Sequence, residues 1–491
     1  MGVFRAGRAA QAAATPPPRP AAHTAGPSET AAGPGDAAQV ELQRQAHAEI
    51  LELEPADPFS DWVQYGGAEL EPFCAFTSLV CIRYLLRLAR ERRTIEAWQR
   101  LPAEAFVSLA QLRRAPGSFS DVGGLPLLAL SYPWWSATHP DPQGQQLQLL
   151  LPLLEAIVKA LDELGDNSTW GVLWDFASLP QRGYTNPESS SMAHDAAEDR
   201  SALQLARFRL GLRNINVWYT HKRVWTLLLN TPTPEGASNQ QPYDGRGWCI
   251  FEQSISSLVK GANNLISMRR YDCNSMNDWC DITEQCKEGR LPPLGPEAFA
   301  TRLRRGVEDG TVKFTSGSDL EKVVLPNYAR GFKAAFNAAH SLNYGKLGWT
   351  DMEAEVLAAT LSEMARDGVG SWVQELWLDG NSLIGDSGCL FLVNALADGA
   401  LSKLQKLSFY GCSVGGPGCA ALARLLNQGS LPALKAVWVS WHDKREGSRE
   451  VHSGGVLVNI GFERCEGVSD LKRAASMRGI GLYVRPRQDD D

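Results

Sequence analysis

Aromatic and acidic residues that could take part in chemistry follow short apolar runs in the middle of the sequence. Trp134 and Trp135 follow the first run, Asp175 stands near the end of the second, and His221 follows the third. A carboxylate can stabilise positive charge, and an indole ring can stack on an aromatic base. In an open parallel sheet, ligands bind at the carboxyl ends of the strands, beside a reversal in strand order. These residues are therefore the first candidates for a binding site.

The apolar runs alternate with segments of helical spacing. Near-continuous apolar strands that alternate with helices indicate a parallel sheet covered on both faces. We therefore predict an α/β domain over residues 119–338. The predicted strands are 127–132, 170–176 and 215–220, and the predicted helices are 145–164, 196–210 and 248–260.

Three blocks of sequence in this region resemble a known family. They are Leu130–Trp134, Leu173–Gln181 and Arg246–Glu252, in this order along the chain. They resemble the three blocks of fungal heterokaryon-incompatibility (HET) domains, which are in turn similar to the Toll/interleukin-1 receptor (TIR) fold. Two positions depart from the HET pattern, since Trp135 stands where that family has a glycine and Phe251 where it has a glutamine.

A second pattern agrees with the first at one residue. Trp248-Cys249-x-x-Glu252 matches the "WCxxE" opening of a helix in the TIR domains of plant resistance proteins. The HET and TIR patterns both place their glutamate on Glu252.

The resemblance implies a TIR-like (flavodoxin-like) parallel sheet and a reaction. Many TIR domains cleave the nicotinamide–ribose bond of NAD, so the resemblance implies NAD as the substrate. It makes Glu252 the catalytic residue, because a carboxylate stabilises an oxocarbenium-like transition state. It implies neither a metal nor a bound cofactor. Substrate contacts are expected from Trp134, Trp135, Asp175, Arg246 and Trp248.

Structural explanations of the same residues stay open. A glutamate in the first turns of a helix is favoured by the helix dipole alone. Two adjacent tryptophans can pack as one core residue and one rim residue. The alternative function is a non-catalytic scaffold that binds protein partners or further copies of itself.

The C-terminal third contains an internal repeat. The pattern Leu376-x-Leu378-x-x-Asn381-x-Leu383 recurs 31 residues later as Leu407-x-Phe409-x-x-Cys412-x-Val414, and a third strand begins at Val437. An earlier, degenerate unit fits residues 342–361. This pattern resembles leucine-rich repeats of the ribonuclease-inhibitor type, which have one strand and one helix per repeat. We predict a short α/β repeat block over 339–445, followed by a C-terminal extension over 446–491.

Composition excludes several classes of protein. The 491 residues carry 48 basic and 55 acidic side chains, a net charge of −7, which argues against coating nucleic acid or binding anionic membranes. No apolar run reaches the roughly 18 residues of a membrane span. Ten cysteines without a CxxC pair indicate reduced thiols and a cytoplasmic protein. There is no phosphate-binding GxxxxGK[ST] loop, and the spacing of Cys273, Cys280 and Cys286 does not match zinc knuckles.

The N-terminal residues differ from the rest of the chain. Residues 1–39 are rich in Ala, Pro and Gly and have few large apolar side chains, so we predict a disordered tail. Its arginines leave an organelle transit peptide as an alternative. Residues 40–118 have helical patterning and are predicted as a helical lead-in.

Overall fold

The structure is a computed structural model that describes most of the chain. It covers residues 34–117, 123–164, 168–184, 198–272, 274–276, 278–287, 290–441, 450–453, 456–459 and 466–486. The predicted tail lies outside the described residues as far as residue 33. From Pro34 the chain is helical, which is five residues before the predicted end of the tail at residue 39.

The first part of the chain is a mixed α/β unit. Its strands are β1 (Val80–Cys81), β2 (Leu127–Ser131), β3 (Gly171–Leu173), β4 (Trp225–Leu228) and β5 (Leu265–Ser267). Its helices are α1 (Pro34–Glu52), α2 (Asp61–Gln64), α3 (Glu71–Cys74), α4 (Ile82–Arg90), α5 (Leu109–Arg114), α6 (Gln145–Glu163), α7 (Asp175–Ser178), α8 (Ala202–Arg213), α9 (Asn216–Thr220), α10 (Gly247–Ser256), α11 (Trp279–Gln285), α12 (Pro296–Glu308) and α13 (Leu325–Ala338).

The five strands form one sheet in the order β1-β3-β2-β4-β5. Strands β2 to β5 are parallel, and β1 pairs antiparallel with β3 at the edge. The chain passes from β2 to β3 on one side and then crosses to β4 and β5 on the other. The strand order therefore reverses between β2 and β4, which is where an open parallel sheet forms a ligand crevice.

Both faces of this sheet are covered, as its continuous apolar strands predict. Successive residues of a strand point to opposite faces. Leu127 and Ala129 of β2 pack in one hydrophobic cluster with residues of α9, α10 and α13. Leu128 and Leu130 pack in a second cluster with residues of α4, α6 and α11.

The predicted third strand is wrong. Residues 216–220 form helix α9, with Ile215 as its N-cap, and the third parallel strand, β4, begins at Trp225. Trp218 and Tyr219 are adjacent in sequence and are both buried in the same hydrophobic cluster. In a strand, two successive side chains would point to opposite faces of the sheet. A buried apolar run of six residues does not distinguish a strand from a helix by its periodicity.

The predicted second strand is shorter than expected. Residues 171–173 form β3, and the backbone turns into α7 at Asp175. The Ser178 hydroxyl accepts a hydrogen bond from the Trp174 amide at 3.1 Å and so stabilises this turn. Asp175 therefore lies in the first turn of a helix at the end of the strand.

The predicted helical lead-in, residues 40–118, is not entirely helical, because it also contains strand β1.

The second part of the chain stacks strand–helix units. Its strands are β6 (Ser341–Asn343), β7 (Glu375–Trp377), β8 (Lys406–Phe409), β9 (Ala436–Trp441), β10 (Glu450–Ser453), β11 (Val456–Asn459) and β12 (Gly481–Pro486). Its helices are α14 (Asp351–Asp367), α15 (Asp386–Ala397), α16 (Gly416–Gln428) and α17 (Glu466–Met477). A parallel sheet runs in the order β12-β9-β8-β7-β6, and β10 and β11 form a separate hairpin.

The strand register follows the sequence repeat. Leu342, Leu376, Leu407 and Val437 are neighbours across the sheet, and all four are buried. The C-terminal extension adds to this sheet, since β12 pairs in parallel with β9.

Polar side chains connect successive units at two positions. Asn381, fully buried after β7, accepts hydrogen bonds from the amides of Leu347 and Trp349 and donates to the carbonyls of Tyr344 and Leu378. These four bonds supply partners to two buried backbone N–H groups and two buried carbonyls inside the turn. A side-chain amide suits this position because it can both donate and accept hydrogen bonds.

Aspartates in the first turns of the helices cap the helix of the next unit. Asp351 accepts from the amides of Gly385 and Gly388, and Asp386 accepts in the same way from Gly415 and Gly418. A Cβ at Gly388 would lie 2.6 Å from the Asp351 carboxylate, so the repeated glycine makes room for the cap.

Candidate functional site

Glu252 lies in α10, beside the point where the strand order reverses. Helix α10 follows β4 and packs on the sheet next to β2. This places the Glu252 side chain near the carboxyl end of β2, where the nearby hydroxyls of Ser131 and of Tyr219 in α9 act to lower its pKa. The side chain is 8% exposed. Two elements that flank the crevice thus hold one buried carboxyl group.

Asp175 brings a second carboxyl group to the same place. Its Oδ1 accepts hydrogen bonds from the Tyr132 hydroxyl and from the Phe176 amide at 2.6 Å. Asp175 is half-buried, and its charge acts on Glu252. In the described part of the chain, neither carboxyl group has a basic side chain within 4 Å.

Burial controls the protonation of this pair. It raises the pKa of Glu252 well above the usual range, and the nearby charge of Asp175 adds to the shift. Burial also raises the pKa of Asp175, against the opposing effect of its hydrogen bonds. The shift favours the neutral form of Glu252. Neighbouring acids with perturbed pKa values are typical of catalytic sites.

Three tyrosines and a cysteine surround the pair. The Tyr243 hydroxyl lies 2.6 Å from Ser131 Oγ, and Tyr219 donates to the Leu130 carbonyl at 2.7 Å. Burial raises the pKa of Tyr219, Tyr243 and Cys249 well above their usual values. Tyr219 and Tyr243 were not among the predicted site residues. Tyr219 lies in the segment mistaken for a strand, and no pattern in the sequence marks Tyr243.

The two predicted tryptophans have different environments. Trp134 is half-buried, and its ring packs edge-on against Phe176 with a centroid distance of 5.7 Å. Trp135 is 4% exposed, and its Nε1 has no hydrogen-bond partner among the described residues. This is the arrangement of one core and one rim residue. Trp134 is therefore the better placed of the two to meet a ligand.

Arg246 and Trp248 contact protein groups in this structure. Arg246 is 7% exposed and donates to three backbone carbonyls, those of Trp134, Asn239 and Gln241. Trp248 donates from Nε1 to Asp319 at 3.0 Å. The structure thus brings Glu252 and Asp175 together and gives Arg246 and Trp248 structural partners.

Glu252 is buried in this structure, whereas Asp175 and Trp134 are half-buried. Two surface pockets lie elsewhere. One, of about 710 Å³, is lined largely by α12 and reaches Asp244 and Ile250. The other, of about 810 Å³, lies between the end of α1 and α5. Neither pocket is lined by Glu252 or Asp175.

The described residues contain no group of three or more His, Cys, Asp or Glu side chains arranged to hold a metal ion. Cys273, one of the three cysteines considered above as zinc ligands, lies outside the described residues. Within the described ranges, no helix combines the length and the apolar character needed to cross a membrane.

The fold and the site define an α/β protein with two parallel-rich sheets and, beside a strand-order reversal, one buried and one half-buried carboxyl group. The sequence matches no protein-family model and no curated protein. Functional assignment therefore rests on the residues and contacts described above.

Proposed function

We propose that this chain is a signalling or innate-defence protein in which a HET/TIR-like domain precedes leucine-rich repeats. We further propose that this domain hydrolyses the nicotinamide–ribose bond of NAD. The strand order supports the fold assignment, because the parallel strands, numbered along the chain, follow the flavodoxin-like order 2-1-3-4. The strand register and the buried Asn381 support the repeat assignment.

The observation that carries the enzymatic proposal is the Glu252–Asp175 pair at the strand-order reversal. Cleavage breaks the N-glycosidic bond, and neutral nicotinamide leaves with the bonding electrons. Water then bonds to the ribose carbon and loses a proton, which gives ADP-ribose. The nicotinamide ring of NAD is cationic. Its approach would lower the pKa of Glu252, and the resulting carboxylate would stabilise the oxocarbenium-like transition state.

The test is nicotinamide release from NAD by the purified full chain. Glu252→Gln keeps the size of the side chain and removes its charge. Losing one electrostatic element of this kind costs roughly 10²–10³ in rate, so we expect turnover to fall by at least that factor. The assay is run over a range of protein concentrations, because activity can depend on self-assembly.

Glu297→Gln is the matched control, since Glu297 is an exposed glutamate at the start of α12. It should leave turnover unchanged. Release that survives Glu252→Gln would remove Glu252 from the mechanism. If the wild type releases no nicotinamide at any concentration, the enzymatic proposal is wrong.

A second candidate function, a protein-interaction scaffold, is favoured by an aromatic row on the second sheet. Trp377, Trp438 and Tyr483 stand on β7, β9 and β12 in one register row. Their ring centroids are 5.2 and 4.9 Å apart, and Tyr483 is 41% exposed. Exposed aromatic side chains are enriched in protein interfaces. Sedimentation velocity would test self-association through this row, which Tyr483→Ser should weaken.

A further inference from the structure

One guanidinium joins the two loops that follow the strands beside the crevice. The loop after β2 supplies the Trp134 carbonyl, and the loop after β4 supplies the carbonyls of Asn239 and Gln241. Arg246 donates to all three. Two further bonds join the same loops, since the Asn239 amide and the Ser238 hydroxyl both donate to the Trp135 carbonyl, at 3.1 and 3.3 Å.

The position of Arg246 is electrostatically unfavourable. It is the N-cap residue of α10, where the helix dipole disfavours positive charge. No carboxylate in the described part of the chain lies within 4 Å of it, and burial lowers its pKa. The three carbonyls compensate part of this cost. Because Arg246 has no ion-pair partner, its contribution at this position depends on these three charge-assisted hydrogen bonds, and replacing the guanidinium removes all three.

The joined loops lie at the carboxyl ends of β2 and β4, the strands that flank the Glu252 crevice. We infer that Arg246 is a latch: its hydrogen bonds hold the two loops together and control access to Glu252. Arg246 acts through the loops and is therefore a positioning residue. The inference deepens the proposed function, but the latch can be tested without NAD cleavage.

The Cys249 thiol can report when the two loops separate. It lies three residues after Arg246 and three residues before Glu252 in α10, so it shares one side of the helix with Glu252, and it is 2% exposed. A reagent that reaches the Cys249 thiol has therefore entered the buried region beside Glu252. The reference thiols are Cys389 and Cys419, both buried in the repeat block, and Cys280, which is exposed.

The experiment measures the rate at which a small maleimide modifies each cysteine of the folded full chain, site by site, by mass spectrometry. Hydrogen bonds to charged groups are strong enough that losing them should speed Cys249 modification in Arg246→Ala by about tenfold or more. Rates at Cys389, Cys419 and Cys280 should stay at the wild-type values. Arg246→Lys keeps the charge but not the planar fork, so it should give an intermediate rate at Cys249.

Two results would overturn the latch. One is an unchanged Cys249 rate in both Arg246 variants. The other is equal acceleration at Cys249, Cys389 and Cys419, which would mean general destabilisation. Arg246→Lys keeps the test usable if Arg246→Ala does not fold. Selective acceleration at Cys249 without nicotinamide release from any variant would support the latch and reject the proposed reaction, so the two failures are distinguishable.

Discussion

At the scale of single residues, the buried Glu252 carboxyl makes stability depend on pH. Burial raises its folded-state pKa above the unfolded value near 4.5. The folded state therefore binds more protons than the unfolded state as pH rises from about 4.5, and stability falls over that range. Glu252→Gln removes this penalty. We expect the variant to melt at a higher temperature than the wild type at pH 7 and at a similar temperature at pH 4.

The measurement is the melting temperature of both proteins from pH 4 to pH 8, with Glu297→Gln as an exposed control. A difference between Glu252→Gln and the wild type that stays constant over the whole range would contradict a raised pKa.

The sequence located part of this site. Trp134 and Asp175 follow β2 and β3, as strand-end reasoning predicts. The role of Glu252 comes from the family resemblance alone and stays a prediction. The tyrosine partners were not predictable, because a buried tyrosine has no sequence pattern that separates it from an ordinary core aromatic. The structural role of Arg246 was also missed, since its partners are backbone carbonyls in two loops and carry no side-chain signature.

At the scale of elements, the repeat block gives a sharp test of packing. Leu378 follows β7 and is fully buried, and its amide donates to the Ser408 carbonyl of the next unit at 3.0 Å. Leu378→Ala should lower the free energy of unfolding by about 2–5 kcal/mol, as truncation of buried leucines does. Chemical denaturation followed by circular dichroism measures the change.

Leu383, five residues further along the chain, is 62% exposed and is the matched control. Leu383→Ala should change stability by no more than about 0.5 kcal/mol. Equal effects of the two substitutions would contradict the stacked arrangement.

The elements themselves were predictable to different degrees. The 31-residue repeat offset predicted the register of β7 and β8, because equivalent residues of stacked units must align. The buried helix α9 was mistaken for a strand, because a short buried helix and a buried strand can both consist of an apolar run of this length. β12 was missed because a strand that pairs with β9 from 40 residues away leaves no local signal.

At the scale of the whole molecule, one buried arginine joins the two parts of the chain. Arg290 donates to the carbonyls of Ser257 and Leu258, just after α10, and to the carbonyl of Asn343 in the first unit of the repeat block. Its guanidinium also lies 4.6 Å from the centre of the Tyr344 ring. Burial lowers the pKa of Arg290 to about 10, so it is still charged at neutral pH.

Arg290→Ala should destabilise the whole molecule and not one part of it. The substitution removes the Arg290 donors from the Ser257 carbonyl on one side of the junction and from the Asn343 carbonyl on the other, which we expect to cost roughly 2–5 kcal/mol. The hydrophobic core is continuous across this junction, since residues of α10, α13 and the repeat helices belong to one buried cluster. Calorimetry should therefore show a single unfolding transition at a lower temperature.

The control is Arg304→Ala, which removes an exposed ion pair with Glu321. It should lower the free energy of unfolding by no more than about 1 kcal/mol. Two separate transitions in Arg290→Ala would show that Arg290, and not the shared core, couples the two parts. An unchanged unfolding temperature would contradict the proposed stabilisation of the junction by Arg290.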